Sequence, residues 1–161
     1  MANIHRMTKR KLGEILIHER LVTQEQVQEC LLEQAQSGEL LGQVLVRKGY
    51  CSEKDIAETI ATQFSFPYIE PDQYYIASDV LHLLPMEFVD KHSVIPLDRF
   101  DDTLVIVVAG PLEDEVLQEI GQLTGCTVQI FVSTVSEVRK AVETLKQGQR
   151  RAAARRETYG G

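Results

Sequence analysis

No stretch of the chain approaches the ~20 apolar residues that cross a bilayer, so a membrane span is not expected. Basic residues near the N-terminus are followed by no apolar segment, so a secretory signal peptide is not expected either. Cysteine is scarce: Cys30, Cys51 and Cys126 form an odd, scattered set without C-x-x-C. That is the pattern of reduced thiols in a cytoplasmic protein, not of a disulfide framework. His5, His18, His82 and His92 are isolated and lack H-x-x-x-H spacing, so no metal site is expected. Catalytic signatures are missing too. There is no G-x-x-x-x-G-K-[ST] phosphate loop; the nearest echo, Gly121 to Thr127, has one residue too few between its glycines and no lysine. Glu113, Asp114 and Glu115 are consecutive, so they cannot face each other as an acid/base pair and suit a helix N-terminus instead. The chain reads as non-catalytic and without a cofactor.

What is present is enough for one ordinary domain or two small subdomains sharing a core: 161 residues, 43% of them hydrophobic. The net charge of −7 is uneven. Arg6, Lys9, Arg10 and Lys11 make the start basic, and Lys146, Arg150, Arg151, Arg155 and Arg156 outweigh Glu157 at the end. With four net positive charges at each end set aside, residues 12–145 carry −15. So acidic a body argues against broad nucleic-acid binding, which needs a basic face.

The dominant feature is an internal repeat. Leu12-Gly13-x-x-Leu16 leads to Val27-x-x-x-Leu31-x-x-Gln34, and Leu41-Gly42-x-x-Leu45 leads to Ile56-x-x-x-Ile60-x-x-Gln63, every landmark offset by 29. Taken singly, each apolar position reads as ordinary helical core. A doubled unit with glycine and glutamine at fixed places can also present two similar half-sites to a two-fold symmetric ligand.

Local signals place the elements. Thr8 can cap a helix running to about Glu19. Thr23 with Gln26 is a capping box for a helix over 23–36 that Ser37-Gly38 ends. A third helix covers 40–48 and stops at Gly49, and Ser52 caps a fourth over 52–64. Phe66-Pro67 through Pro71 is an extended crossing and a subdomain boundary. Ser78 opens a short helix ending near Leu84-Pro85, and another follows over 86–91. Strands are expected over 93–97, over 103–109 (apolar enough to be buried on both faces) and over 126–132. Helices are expected over 113–122 and, from the Thr134/Glu137 capping box, through Leu145. The fold class is α+β, an α/β sandwich: residues 1–8 loose, a subdomain of two tandem helical hairpins over 9–65, a small β-β-α-β-α subdomain over 66–146, and a flexible basic tail or linker over 147–161.

These motifs resemble the MshEN-type N-terminal domain of type II secretion and type IV pilus assembly ATPases, whose tandem segments have the form R-L-G-x-x-L followed by L-x-x-x-L-x-x-Q. Here they stand as Lys11-Leu12-Gly13 to Leu16 with Val27, Leu31 and Gln34, and as Leu41-Gly42 to Leu45 with Ile56, Ile60 and Gln63. Val94-x-Pro96-Leu97 and Val107-Val108-Ala109-Gly110-Pro111 match further on, so that the resemblance covers about residues 9–145. Two departures stand out. Lys11 replaces the motif arginine, keeping its charge but losing its planar fork, and Arg20 stands where the second copy has Gly49.

The resemblance implies a regulatory domain of a secretion or pilus motor that binds cyclic di-GMP, or alternatively a module docking the ATPase on its inner-membrane platform protein without nucleotide. The implied ligand set is Lys9, Lys11, Leu12, Gly13, Leu16, Val27, Leu31, Gln34, Leu41, Gly42, Leu45, Ile56, Ile60 and Gln63, with the glutamines as polar anchors. Such residues suit a ligand with two phosphates and two flat purines. Glycine lets backbone come close, aliphatic side chains pack on purine faces, glutamine both donates and accepts, and cations meet phosphate. The implied partners are an ATPase motor domain in cis or in trans and the platform protein, with a cytoplasmic location peripheral to the inner membrane. Neither nucleic acid nor direct membrane insertion is implied.

Overall fold

The computed structural model describes residues 12–70 and 75–159. Thr8, Lys9 and Lys11 lie outside the described residues. The N-terminal part is built of α1 (Leu12–His18), α2 (Gln24–Ser37), α3 (Leu41–Arg47) and α4 (Glu53–Phe64). Local chemistry fixes their ends. Thr23 Oγ1 accepts from the Gln26 backbone N–H at 3.2 Å while Gln26 Oε1 accepts from the Thr23 N–H at 2.9 Å. Ser52 and Asp55 form the same reciprocal box in the second copy, at 3.0 and 3.4 Å. Gly38, at φ 74°, terminates α2 by donating to the Gln34 carbonyl at 2.9 Å.

The repeat in sequence is a repeat in structure. The Leu21 N–H bonds the Leu16 carbonyl and the Tyr50 N–H bonds the Leu45 carbonyl, both at 3.0 Å. Likewise the Arg20 N–H bonds Ile17 and the Gly49 N–H bonds Val46, again at 3.0 Å.

Next come two short helices, α5 (Ser78–Leu81) and α6 (Met86–His92), and then β1 (Ile95–Phe100), β2 (Thr103–Val108), α7 (Asp114–Thr124), β3 (Thr127–Val132) and α8 (Val135–Tyr159). The sheet order is β1-β2-β3, β1 antiparallel and β3 parallel to β2. The central place of β2 explains its apolar run: Leu104 to Val108 are all buried. Pro96 is tolerated because β1 is an edge strand, and the register shifts between Pro96 and Asp98. Helices α5 and α8 contact β1, while α4 and α7 contact β3. The architecture is α+β.

The structure departs from the local reading in four places. β1 begins later and runs further than 93–97, because its hairpin with β2 carries the pairing out to Phe100↔Thr103 and Ser93 caps α6 in the left-handed region. Ala77, not Ser78, is the N-cap of α5, which stops at Leu81. The crossing at 66–69 joins the sheet: Tyr68 pairs with Val132 in parallel, the Ile69 N–H donates to the Val132 carbonyl and the Val132 N–H to the Pro67 carbonyl, both at 2.9 Å. Finally, the expected tail over 147–161 continues α8 as helix to Tyr159. Its Gln, Arg, Ala and Glu are strong helix formers that outweigh the one interior glycine, Gly148.

One continuous core joins the helical pairs to the sheet. Ile15, Leu16, Leu45, Ile60 and Phe64 belong to the same buried cluster as Ile95, Ile106, Ile120 and Val138.

Candidate ligand site at the seam of the two Leu-Gly pairs

The two Leu-Gly pairs face each other. A Cβ built on Gly13 meets Val27 Cγ1 at 2.9 Å and Leu41 Cδ2 at 3.3 Å; one built on Gly42 meets Ile56 Cδ1 at 3.6 Å and Leu12 Cδ2 at 3.5 Å. Each glycine thus rests on the closing helix of its own copy and on the leucine of the other. Adding 29 to Val27 gives Ile56, and subtracting it from Leu41 gives Leu12, so the contacts are reciprocal. Only glycine allows the closer of these approaches, since the space for a side chain at position 13 is already filled by Val27. Leu12 and Leu41 are half-buried and pack against the core from its margin.

The other expected ligand residues divide by burial. Leu16, Leu45 and Ile60 have no exposed surface, and Val27 and Ile56 are buried. These five hold the hairpins together and turn little surface outward. Leu31 is 47% exposed although its counterpart Ile60 is fully buried, because α4 packs on β3 whereas α2 has α3 as its neighbour. Gln34 and Gln63 are half-buried, each seven residues beyond Val27 or Ile56 and so about 10 Å further along its helix. The Gln63 amide donates to the Glu19 carboxylate, which ties the end of α4 to the end of α1. The groove beside Gln63 is walled by Glu19, Asp55 and Glu58, and that charge repels a phosphate.

A second cluster lies between α2 and α3. Lys48 Nζ bonds Glu29 at 2.8 Å and Glu33 at 2.9 Å, while Arg47 bonds Glu39 at 3.1 Å and also Glu33. The Tyr50 hydroxyl donates to Glu29 Oε2 at 2.6 Å. Hydrogen bonds from Lys48 and then Tyr50 hold the Glu29 carboxyl below the ordinary carboxylate range; Arg47 and then Lys48 do the same for Glu33. Bonds to Glu29 and Glu33 raise Lys48, and those to Glu33 and Glu39 raise Arg47. Both cations of the second copy are thereby engaged by carboxylates of α2 and of the turn that follows it. The cysteines are unpaired, and burial pushes the thiols of Cys30 and Cys51 up, away from reactivity.

Sequence reasoning overlooked Leu40 and Leu32, which are 61% and 72% exposed. The 29-residue offset applied to Lys11 points to Leu40 directly; nothing in the periodicity of α2 sets Leu32 apart from a core leucine.

Comparison with known proteins gives the family and the fold. The family model of the MshEN domain matches residues 64–152, beginning where the second copy ends. The type IV pilus assembly ATPase PilB of Myxococcus xanthus is 27% identical over 133 residues, 83% of this chain and 24% of that protein. PilB of Thermus thermophilus is 34% identical over 129 residues, 79% of this chain and 14% of that protein. The chain thus spans a quarter or less of the length of these relatives. Among solved structures, MshE with cdg superposes with a TM-score of 0.69 at 22% identity, covering 84% of this chain and 99% of that one. The N-terminal domain of XpsE superposes with a TM-score of 0.64 at 24% identity, covering 82% and 91%.

Proposed function

This chain belongs to the MshEN domain family, and from that premise we propose that it is a non-catalytic regulatory domain that binds cyclic di-GMP across the seam of its Leu-Gly pairs. The reciprocal packing of Gly13 on Leu41 and of Gly42 on Leu12 carries this reading, because it makes two like half-sites from two like segments. A ligand with two-fold symmetry matches such a seam. MshE, which shares the fold, is described with cdg, which we read as cyclic di-GMP.

In this reading Leu12 and Leu41 meet the ligand at the seam, and the two buried glycines let the two copies approach each other beneath it. Lys9 and Lys11 bring positive charge from the preceding segment. Leu31, Gln34 and Gln63 lie further out along the closing helices, and Leu16, Leu45, Val27, Ile56 and Ile60 keep the hairpins in register. Binding biases a type IV pilus or type II secretion motor, in cis or in trans, by favouring one placement of this domain on its neighbour; that requires the ligand to bind the two placements unequally. The domain is cytoplasmic, with residues 9–65 supplying the ligand seam and residues 66–146 the sheet that supports it.

A second reading is a docking module for the inner-membrane platform protein that takes no nucleotide. The exposed Leu31 and Leu32 favour it. The half-burial of Leu12 and Leu41 favours the nucleotide, since an apolar docking patch centred on them calls for open leucines.

Isothermal titration with cyclic di-GMP, with GTP and cyclic di-AMP as controls, tests the proposal. Saturable, selective binding near one ligand per chain is expected, and Leu12→Asp or Leu41→Asp is expected to abolish it in proteins that still melt cooperatively. No heat and no thermal shift at high ligand concentration sinks the nucleotide reading. Capture of the purified platform protein's cytoplasmic segment, lost in Leu31→Asp/Leu32→Asp, then supports the second.

A further inference from the structure

Two surfaces of opposite charge face solvent. The first is the far end of α8. Leu145 is the last described residue of that helix to pack on the core, yet the helix runs on to Tyr159. The segment 147–159 carries four arginines against one glutamate. Arg150 and Arg155 are exposed, and neither bonds a carboxylate among the described residues. Lys146, one turn before Arg150, fastens α8 to α6 through Asp90 at 2.9 Å. The second surface is the groove along α4, walled by Glu19, Asp55 and Glu58 and lined further by Thr62 and Gln63. A groove whose carboxylates repel phosphate attracts a cation. Glu58 has Lys54, at 3.8 Å, as its ionic neighbour among the described residues. The groove holds about 270 Å³, smaller than the pockets that enclose a drug-sized ligand but roomy enough for side chains.

The two surfaces do not close on each other within one chain. Ser136 Oγ donates to Glu53 Oε1 at 2.9 Å, so α8 and α4 start side by side. Asp55 and Glu58 lie within about 8 Å of Glu53 along α4, whereas Arg155 lies about 28 Å from Ser136 along α8. An arginine side chain does not span that difference. A second copy can bring its own α8 to the groove.

We propose that the projecting end of α8 in one chain docks along the α4 groove of a second copy, with Arg150 and Arg155 set against Asp55 and Glu58. Helix and groove are different surfaces, so the contact is heterologous, and further copies can add until a ring closes. Charge holds it, so salt weakens it. It does not rest on the nucleotide reading.

The test is analytical ultracentrifugation at low and high salt, at concentrations up to about 1 mM because a contact of this size is weak. Three samples are compared with wild type: Arg150→Glu/Arg155→Glu, Glu58→Lys/Thr62→Lys, and an equimolar mixture of the two. Glu58 and Thr62 are exposed and leave the Ser52–Asp55 capping box intact, and thermal melting verifies that each protein folds. Wild type is expected to rise above the mass of one chain at low salt and to return to it at high salt. Each charge reversal alone is expected to weaken association at least about tenfold, since it sets like charges against each other. The mixture is expected to associate again, because each reversed helix then meets a groove of opposite charge. A wild type that stays monomeric at low salt overturns the inference. Association that survives either reversal also overturns it, as does a mixture that stays monomeric while wild type associates. If monomeric wild type instead binds phosphatidylglycerol vesicles and Arg150→Glu/Arg155→Glu does not, the extension serves an anionic lipid surface and the second copy is excluded as its partner.

Discussion

Arg20 and Gly49 occupy the same left-handed backbone position, φ 60° and 76°, at the end of the opening helix in their respective copies. The geometry belongs to the repeat, since both N–H groups close the same turn at 3.0 Å. Glycine adopts it freely, whereas arginine adopts it against the clash of its Cβ with the backbone. Arg20→Gly is therefore expected to stabilise the protein by about 0.5–1 kcal/mol, after allowance for glycine's larger entropy in the unfolded chain. Gly49→Arg is expected to cost a similar amount. Thermal unfolding of the two variants checks the opposite signs; a destabilised Arg20→Gly refutes the account.

The two seam glycines are not equally replaceable. A methyl at Gly13 falls 2.9 Å from Val27, inside any normal contact, while one at Gly42 meets ordinary contacts at 3.5 and 3.6 Å. Gly13→Ala is expected to lose about 1–3 kcal/mol through overpacking. Gly42→Ala is expected to be neutral or to gain up to about 1 kcal/mol from helix propensity. Urea unfolding with both variants separates the cases, and equal effects contradict the geometry.

The α2–α3 ion network gives a pH dependence whose sign is fixed. The folded-state pKa values of Glu29 and Glu33 are depressed, so their contribution is fully present above the unfolded value of about 4.5 and is lost as pH falls through the folded values. Lys48 is raised, so its contribution is fully present below its unfolded value of 10.5. Stability is expected to be level between these limits and to fall below about pH 4.5. In Lys48→Met the acid-side fall is expected to shrink. Urea midpoints from pH 3 to pH 7 measure it, and an unchanged slope in Lys48→Met removes the network as its source.

Leu31 and Ile60 hold equivalent places in the motif but unequal environments, 47% exposed against fully buried. Ile60→Ala is expected to cost about 2–5 kcal/mol, as a cavity in the core does. Leu31→Ala is expected to stay within about 0.5 kcal/mol, as a surface change does. Chemical denaturation decides, and similar losses at both positions refute the assignment.

Gly148 lies inside α8 with no atom within 4 Å of a built Cβ. Gly148→Ala is expected to stabilise that half of the helix by about 1 kcal/mol, visible as increased helical circular dichroism on heating. No change in the helical signal counts against a continuous helix.

The sequence by itself determined the repeat, the four helices that carry it and most of their ends. Those features rest on short-range chemistry: Thr23 and Ser52 bond backbone three residues on, Gly38 turns the chain left-handed, and apolar residues recur at helical spacing. The buried character of β2 was legible for the same reason, as an apolar run needs no partner to be recognised. Tertiary structure decided what local chemistry leaves open. It set the parallel pairing of β3 with β2 and drew the crossing at 66–69 onto the sheet edge. Because α4 packs on β3 while α2 packs chiefly on α3, it buried Ile60 and left Leu31 exposed. It also engaged Arg47 and Lys48 with glutamates of the first copy's α2, up to 19 residues away in sequence. Burial and pairing depend on which surfaces meet, and two copies of one motif acquire different surroundings as soon as the closing helix of one packs on a sheet and that of the other on a helix.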